Sequence, residues 1–381
     1  MDFVEHQGKA ILARAGLPVP EGRHCTTPDE VAEAVAVLGP CAVKAQVPVG
    51  KRGKAGGVRL VEHAEEARVA ASDILKLTIG GHAVEGLLVE RRVPVETEFY
   101  AAVMNDVAAC QPLVLFSPEG GMDIEELAQS RPDAICRISV DIEQGLPGDD
   151  AERALSKFLL DEQARRAVAA FLVRLYGVYR DVDAELLEIN PLARLGDGSL
   201  LALDCKLTVD DSAAYRQEAV AACRATERKT ALEARGAEAG LKFIELDGNV
   251  GVLANGAGLT MTTMDVIDHF GAHPSNFLEI GGDAYTKAEP ALKLVLANPK
   301  VKSLIVNFCG AFARTDVMTE GVVKAWEALK PQVPVFFSIH GTGEDEAVRM
   351  LGARLGIEAY DRMEDAVMAA VQAAGPVEVA K

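Results

Sequence analysis

The sequence predicts an α/β protein of two domains, the second a parallel, doubly wound sheet, and three observations predict it. From about Gly240 onward, short apolar runs alternate with helical stretches in five successive βα units, the pattern of a parallel sheet covered on both faces. Before Gly240 the pattern differs: a Gly, Lys and Arg loop lies between two strands, and a hairpin turns at Gly196-Asp197-Gly198. The 381 residues, 49% hydrophobic and 25% charged, are enough for two or three cores of ordinary composition. The domains are placed at 1–239 and 240–381.

Residues 2–15 read as a short helix stopped by Gly16, and Thr27 and Pro28 as the N-cap and first residue of a helix over 29–38. Residues 41–47 form a buried strand carrying one lysine, Lys44. Gly50-Lys51-Arg52-Gly53-Lys54-Ala55-Gly56-Gly57 follows, and 58–61 pairs back, so 44–61 is a hairpin flap with a basic tip. Such a tip suits a polyphosphate held by backbone N–H groups and fixed cations; the plainer reading is a solvated loop. A helix over 64–75, a strand over 86–90 and a hinge at Glu90-Arg91-Arg92-Val93 come next, then strands at 98–103 and 112–116. Residues 120–126 open a helix whose acidic first turn suits the helix dipole. The helix over 162–180 carries Ala164, Val168, Phe171, Leu172, Leu175 and Tyr179 on one stripe, which packs beneath the hairpin.

That hairpin, 186–206, carries the chemistry. Glu188 and Asn190 are two apart on its first strand and share a face, and Asp204 returns near their level on the second. Two carboxylates and an amide oxygen suit Mg²⁺, a hard ion that takes one or two carboxylates together with water and substrate phosphates. The plainer reading is an edge hairpin with a polar outer face.

A net charge of −18 argues against nucleic acid or an anionic membrane as partner, so an anionic substrate must be held by local cations and backbone N–H groups. Seven cysteines without a C-x-x-C pair fit reduced thiols. The acidic start and the lack of a long apolar run predict a soluble protein of the cytoplasm.

A polar segment over 222–239 reads as an exposed helix and linker. Beyond it, strands fall at 250–255, 275–280, 303–308, 333–339 and 358–360. Helices fall at 259–270, from about 289 with Pro290 in the first turn, and at 316–329, 344–355 and 363–373. The strands end in small-residue loops: Asn255-Gly256-Ala257-Gly258, Gly281-Gly282-Asp283, Gly310-Ala311-Phe312-Ala313 and His340-Gly341-Thr342. Ligands of such sheets bind at the carboxyl ends of the strands, where helix N-termini attract anions. Tight turns alone explain part of this glycine content.

Six collinear stretches carry a family resemblance: Lys44-Ala45-Gln46-Val47, Arg52-Gly53-Lys54-Ala55-Gly56-Gly57, Glu188-Ile189-Asn190-Pro191-Leu192, Leu203-Asp204-Cys205-Lys206, Leu246-Asp247-Gly248-Asn249-Val250-Gly251 and Asn255-Gly256-Ala257-Gly258-Leu259. Together they resemble the β subunits of NDP-forming succinate–CoA ligases over 3–374. The resemblance implies an ATP-grasp domain followed by a flavodoxin-like CoA-ligase domain. It implies that Lys44 and Lys51-Arg52-Gly53 hold nucleotide phosphates, and that Glu90, Val93 and Glu98 line the adenine and ribose side. Asn190 and Asp204 match magnesium ligands, and Glu188 matches the glutamate that meets a phosphohistidine. Asn255 and Ala311-Phe312-Ala313 match the carboxylate-binding positions. ATP or GTP is the implied nucleotide. The histidine and the CoA site belong, in the family, to an α subunit, so this chain needs that partner.

The departures lie mostly in the second domain. Gly281-Gly282-Asp283-Ala284-Tyr285 stands where Gly-Gly-Gly-Ala-Thr is usual, and Cys309-Gly310-Ala311-Phe312-Ala313-Arg314 where Phe-Gly-Gly-Ile and an Arg are usual. In the flap, Pro48 and Lys51 replace residues that are more often His and Gly. Asp283 brings a charge to a helix N-terminus and His340 is the cation that would answer it, so the expected acid is bulkier or more hydroxylated than succinate. A malate, citrate or itaconate thiokinase is the first rival. A non-catalytic nucleotide-binding subunit and a self-sufficient carboxylate–amine ligase are the others; the retained Lys44, Glu188, Asn190 and Asp204, and the complete second domain, speak against them.

Overall fold

The computed structural model describes residues 1–225, 229–281 and 284–375; Gly282 and Asp283 lie outside them. The chain divides into two compact units, Met1–Thr226 and Glu227–Lys381. The division falls earlier than 239/240 because the helix over Ala231–Glu238 packs on elements of the second unit.

The first unit opens with β1 (Asp2–Phe3), α1 (Glu5–Arg14), β2 (Gly22–Cys25) and α2 (Pro28–Leu38). Residues 2–3 are thus a strand, paired with 207–208, rather than the start of the helix. Thr27 caps α2 through a capping box with Glu30. β3 (Cys41–Ala45) and β4 (Val58–Val61) flank the basic loop; α3 (Ala64–Ile74), β5 (Thr78–Ile79), β6 (His82–Ala83) and β7 (Leu87–Arg91) follow. Then come β8 (Val95–Asp106), β9 (Gln111–Ser117), α4 (Ile124–Ser130), β10 (Cys136–Ser139), α5 (Gly148–Leu155) and α6 (Glu162–Asp181). β11 (Ala184–Leu195), β12 (Leu200–Ala202), β13 (Lys206–Val209) and α7 (Glu218–Ala221) close the unit.

These strands make two main sheets. The larger runs β1-β13-β11-β8-β9-β10, with β12 on β11, and the smaller runs β2-β7-β3-β4. The predicted stripe of α6 is buried, and the helix packs on β11 as expected. α2 and α3 cover the small sheet through Val31, Val35, Ala67, Ala71 and Ile74.

The second unit holds α8 (Ala231–Glu238), β14 (Phe243–Glu245), β15 (Val250–Ala254), α9 (Ala257–His269), β16 (Asn276–Leu278) and α10 (Ala284–Ala297). β17 (Ser303–Gly310), α11 (Thr315–Leu329), β18 (Val335–Gly341), α12 (Glu344–Leu355) and α13 (Met363–Ala374) complete it. Pro290 sits inside α10, not in its first turn, because that helix begins earlier than the periodicity suggested. β15, β17 and β18 form a continuous parallel ladder, flanked through isolated parallel bridges by Pro274 on Val250 and Glu279 on Ala254 at one edge and by Tyr360 on Ser338 at the other. In sequence order the strands lie 2-1-3-4-5, the flavodoxin-like order. The second position is closed by a side chain: Asn276 accepts from Val252 N at 3.1 Å and donates to Val252 O at 2.8 Å. Alternate strand residues feed two cores: Val250, Val252 and Ile305 meet Ile267 and Val367, whereas Leu253, Leu304 and Val306 meet Leu292 and Val322. Among the described residues, no helix is long and apolar enough to cross a membrane.

Candidate active site

β3 alternates, so Cys41, Val43 and Ala45 enter the small-sheet core while Lys44 points the other way, toward the large sheet. There its Nζ donates to Glu5 Oε1 at 2.9 Å, Glu90 Oε2 at 2.6 Å and Leu203 O at 2.6 Å. Arg52, 8% exposed, spreads its guanidinium between Glu5 Oε2 at 2.7 Å and Asp204 Oδ1 at 2.5 Å. Lys9 joins from α1, on Glu5 at 2.8 Å and Glu90 at 2.6 Å. Three carboxylates and three cations thus close on one another between the two sheets. Burial pushes the Glu5 carboxyl up, but Lys44, Lys9 and Arg52 outweigh it and hold it well below its ordinary value. Burial likewise works against the Lys44 ammonium, and Glu5, Glu90 and Asp204 more than restore it.

The hairpin forms, with Leu192 opposite Ala202 and Gly198 at φ +83° in the turn. Its return strand is broken, however. β12 ends at Ala202, β13 resumes at Lys206 opposite Glu188, and Asp204 lies in the break. The break brings Asp204 to the level of Glu188 and Asn190 and lets it reach Arg52. Asn190 is engaged by the loop after β9, accepting from Gly121 N at 2.8 Å and donating to Met122 O at 3.0 Å. Glu188 is half-buried, and its carboxyl is raised by burial first and then by Asp204 and Glu125, against Lys206 and an Asn190 hydrogen bond.

The remaining expected residues are placed apart from this cluster. Lys51 is exposed and pairs with Asp123 at 2.8 Å, which ties the flap tip to the loop that Asn190 clasps. Gly53 lies exposed in the flap turn, Val93 between β7 and β8, and Glu98 exposed on β8. Glu90 is not beside them: its carboxylate is turned inward onto Lys9 and Lys44. In the second unit, Asn255 bonds the backbone of Cys309 in both directions at 2.8 Å, at the base of the loop holding Ala311, Phe312 and Ala313. Phe312 is fully exposed. A Cβ on Gly310 would meet Ala313 O at 2.0 Å, and one on Gly341 would meet Gly310 O at 2.1 Å, so close backbone packing explains both glycines. His340 lies 3.5 Å from Glu344, and Asp283, its expected partner, is outside the described residues.

Sequence reasoning missed Glu5, Lys9 and Glu125. Only the i,i+4 spacing of Glu5 and Lys9 on the first helix hinted at an ion pair, and nothing in the pattern showed that it would be buried.

The magnesium assignment rests on donor chemistry. Among the described residues, no three His, Cys, Asp or Glu side chains gather as a metal site, so a bound ion would need oxygens from water or phosphate. Asp204 directs both its hydrogen bonds through Oδ1, and Asn190 Oδ1 accepts one bond of the two a carbonyl oxygen can take. This donor set fits Mg²⁺ with a nucleotide.

The ATP-grasp domain family matches residues 2–194 and the CoA-ligase family residues 253–377. The ADP-forming succinate–CoA ligase β subunit of Rubrobacter xylanophilus is 42% identical over 98% of this chain and 99% of its own. The chain belongs to the succinate–CoA ligase β-subunit family. A GDP-forming β subunit of that family, from Thermus thermophilus, is 40% identical over 92% of this chain and 93% of its own. The fold is shared more widely. An ATP citrate lyase from Methanothrix soehngenii, solved with citrate and coenzyme A, superposes with a TM-score of 0.78 at 23% identity over 97% of this chain and 99% of that one.

Proposed function

We propose that this chain is the β subunit of an acid–CoA ligase that converts a nucleoside triphosphate, succinate or a close dicarboxylate, and CoA to acyl-CoA, nucleoside diphosphate and phosphate. The observation that carries the proposal is the convergence of Lys44, Arg52 and Asp204 beside Glu188 and Asn190. Lys44 and Arg52 answer the charge of the transferred phosphate, with Lys51 and Gly53 closing from the flap. Val93 and Glu98 flank the hinge on the nucleoside side, and Glu90 supports the lysines. Asn190 and Asp204 would hold Mg²⁺, which supplies charge neutralisation on the phosphate oxygens. Glu188, whose raised pKa suits a proton acceptor, orients or deprotonates the incoming histidine of the α subunit. Asn255 with 311–313 meets the acid, and CoA is bound mainly by the partner. Seven free cysteines suit the reducing cytoplasm.

The test is transfer of label from γ-phosphate-labelled ATP or GTP to the histidine of a reconstituted α partner. Asp204→Asn and Asn190→Ala should each abolish labelling without changing the melting temperature by more than a few degrees. Full labelling in either variant overturns the metal assignment, and no labelling with wild-type chain overturns the function.

A further inference from the structure

The cations expected to meet phosphate do not hold themselves in place. Glu5 stands on the first turn of α1, its side chain 1% exposed, and uses both oxygens: Oε1 on Lys9 and Lys44, Oε2 on Arg52. α1 packs on β13 of the large sheet, whereas Lys44 and Arg52 belong to the small sheet and its flap. One carboxylate therefore fixes two cations from the opposite side of the seam. Arg52 has its fork set at both ends, Nη1 by Glu5 and Nη2 by Asp204, so the plane of the guanidinium is determined. Lys44 has three acceptors for three N–H bonds, and its position is determined as well.

We propose that Glu5 is a positioning residue for phosphoryl transfer, fixing the spacing of Lys44 and Arg52 so that the terminal phosphate of a nucleoside triphosphate lies in line with its acceptor; this rests on the nucleotide reading above. Stability does not account for the arrangement. A buried ion cluster is commonly matched or bettered by apolar residues of the same volume, so the charges answer to something other than folding. Fixed charges also meet a transferring phosphate without reorganising, which is where such sites gain rate. Lys9 is the counterweight. It touches Glu5 and Glu90 and leaves the group as three carboxylates and three cations.

The experiment uses the chain reconstituted with its α partner. It measures single-turnover histidine labelling at saturating nucleotide, nucleotide affinity by titration, and the melting temperature. Glu5→Gln should slow labelling by about 10²-fold, the cost of a displacement near 1 Å, and leave nucleotide affinity within about twofold. Added to Lys44→Ala it should cost clearly less than it does alone, because part of its effect passes through that ammonium and only the Arg52 part remains. Glu5→Gln/Lys9→Met, which restores charge balance, should recover the melting temperature but not the rate, and it carries the test alone if Glu5→Gln does not fold. An unchanged rate in Glu5→Gln, costs that multiply with Lys44→Ala, or recovery of rate together with melting temperature in the balanced variant overturns the inference. Labelling unaffected by Lys44→Ala itself overturns the nucleotide reading instead.

Discussion

Lys9 and Lys44 share the same three acceptors. Each ammonium lies within 3.0 Å of Glu5 Oε1, of the Glu90 carboxylate and of Leu203 O, although one comes from α1 and the other from β3. Two like charges on one set of oxygens are tolerable only while Glu5 stays ionised. Protonating it leaves buried cations short of a counter-charge, and the seam between the sheets becomes an acid-sensitive part of the first unit.

That gives a pH dependence with a definite sign. The folded-state pKa of Glu5 is depressed, so its contribution is present above the unfolded carboxylate value of 4.5 and is lost as pH falls through the folded value. Urea midpoints of the wild-type chain should therefore fall on acidification below the ordinary carboxylate range. In Glu5→Gln the midpoint should be lower at neutral pH and the acid limb shallower. Parallel acid limbs in the two proteins would show that other carboxylates set the dependence.

Glu188 should behave oppositely. Burial, with Asp204 and Glu125 nearby, raises its folded pKa, so the protonated form is the one the fold prefers. Its contribution is present below the unfolded value and lost as pH rises through the folded one. At neutral pH the charged carboxylate costs stability, and Glu188→Gln should raise the melting temperature. The same variant should slow histidine labelling by about 10²–10⁴-fold, the usual worth of a general acid or base, with nucleotide affinity retained. A variant that is slower and less stable, or that loses Mg²⁺ affinity alone, contradicts the assigned role.

The parts legible in sequence were those with local rules. The Thr27 cap of α2, the α6 stripe, the Gly198 turn and the βα alternation each depend on residues a few positions apart. The network was illegible because Glu5 and Glu90 are 85 residues apart (90 − 5), and only the packing of two sheets joins them. The hairpin of Glu188, Asn190 and Asp204 was half legible: the shared face of Glu188 and Asn190 follows from period 2, but the break that swings Asp204 toward Arg52 does not. The second unit hid its own device in Asn276. A polar residue flanked by Ser275 and Phe277 gave no sign that its amide would bond Val252 between the backbone bonds at Ser275 and Ile280.

Asn276 is therefore a place where sequence pattern and stability part. It is 1% exposed and its amide satisfies both the N–H and the C=O of Val252. Asn276→Leu keeps the branched skeleton, in a bulkier side chain, but strands both backbone groups, at about 1–3 kcal/mol for each buried unsatisfied group. Denaturant unfolding should show a loss on the order of 3 kcal/mol in the second unit, with the first transition unmoved if the units melt separately. A loss below the roughly 0.5 kcal/mol of an ordinary surface change would mean that Val252 finds other partners.

Our proposal puts the choice of acid at the carboxyl edge of the second sheet. Asn255 pins Cys309, and the backbone of Gly341 closes on Gly310, so the base of the loop is rigid. Phe312 is carried out on that base, fully exposed, with no packing of its own to maintain. Replacing it should leave the melting temperature unchanged and alter only what the loop meets. If this loop meets the acid as proposed, a ring where a smaller aliphatic side chain is usual reshapes the space offered to it. The reconstituted wild-type enzyme should then give a higher kcat/KM for a bulkier or more hydroxylated dicarboxylate than for succinate. Phe312→Ile should shift the ratio toward succinate by about tenfold, the lower end of what one hydrophobic contact discriminates. A wild-type preference for succinate over malate, citrate and itaconate, unmoved by Phe312→Ile, would mean that the ring faces the partner or solvent and takes no part in choosing the acid.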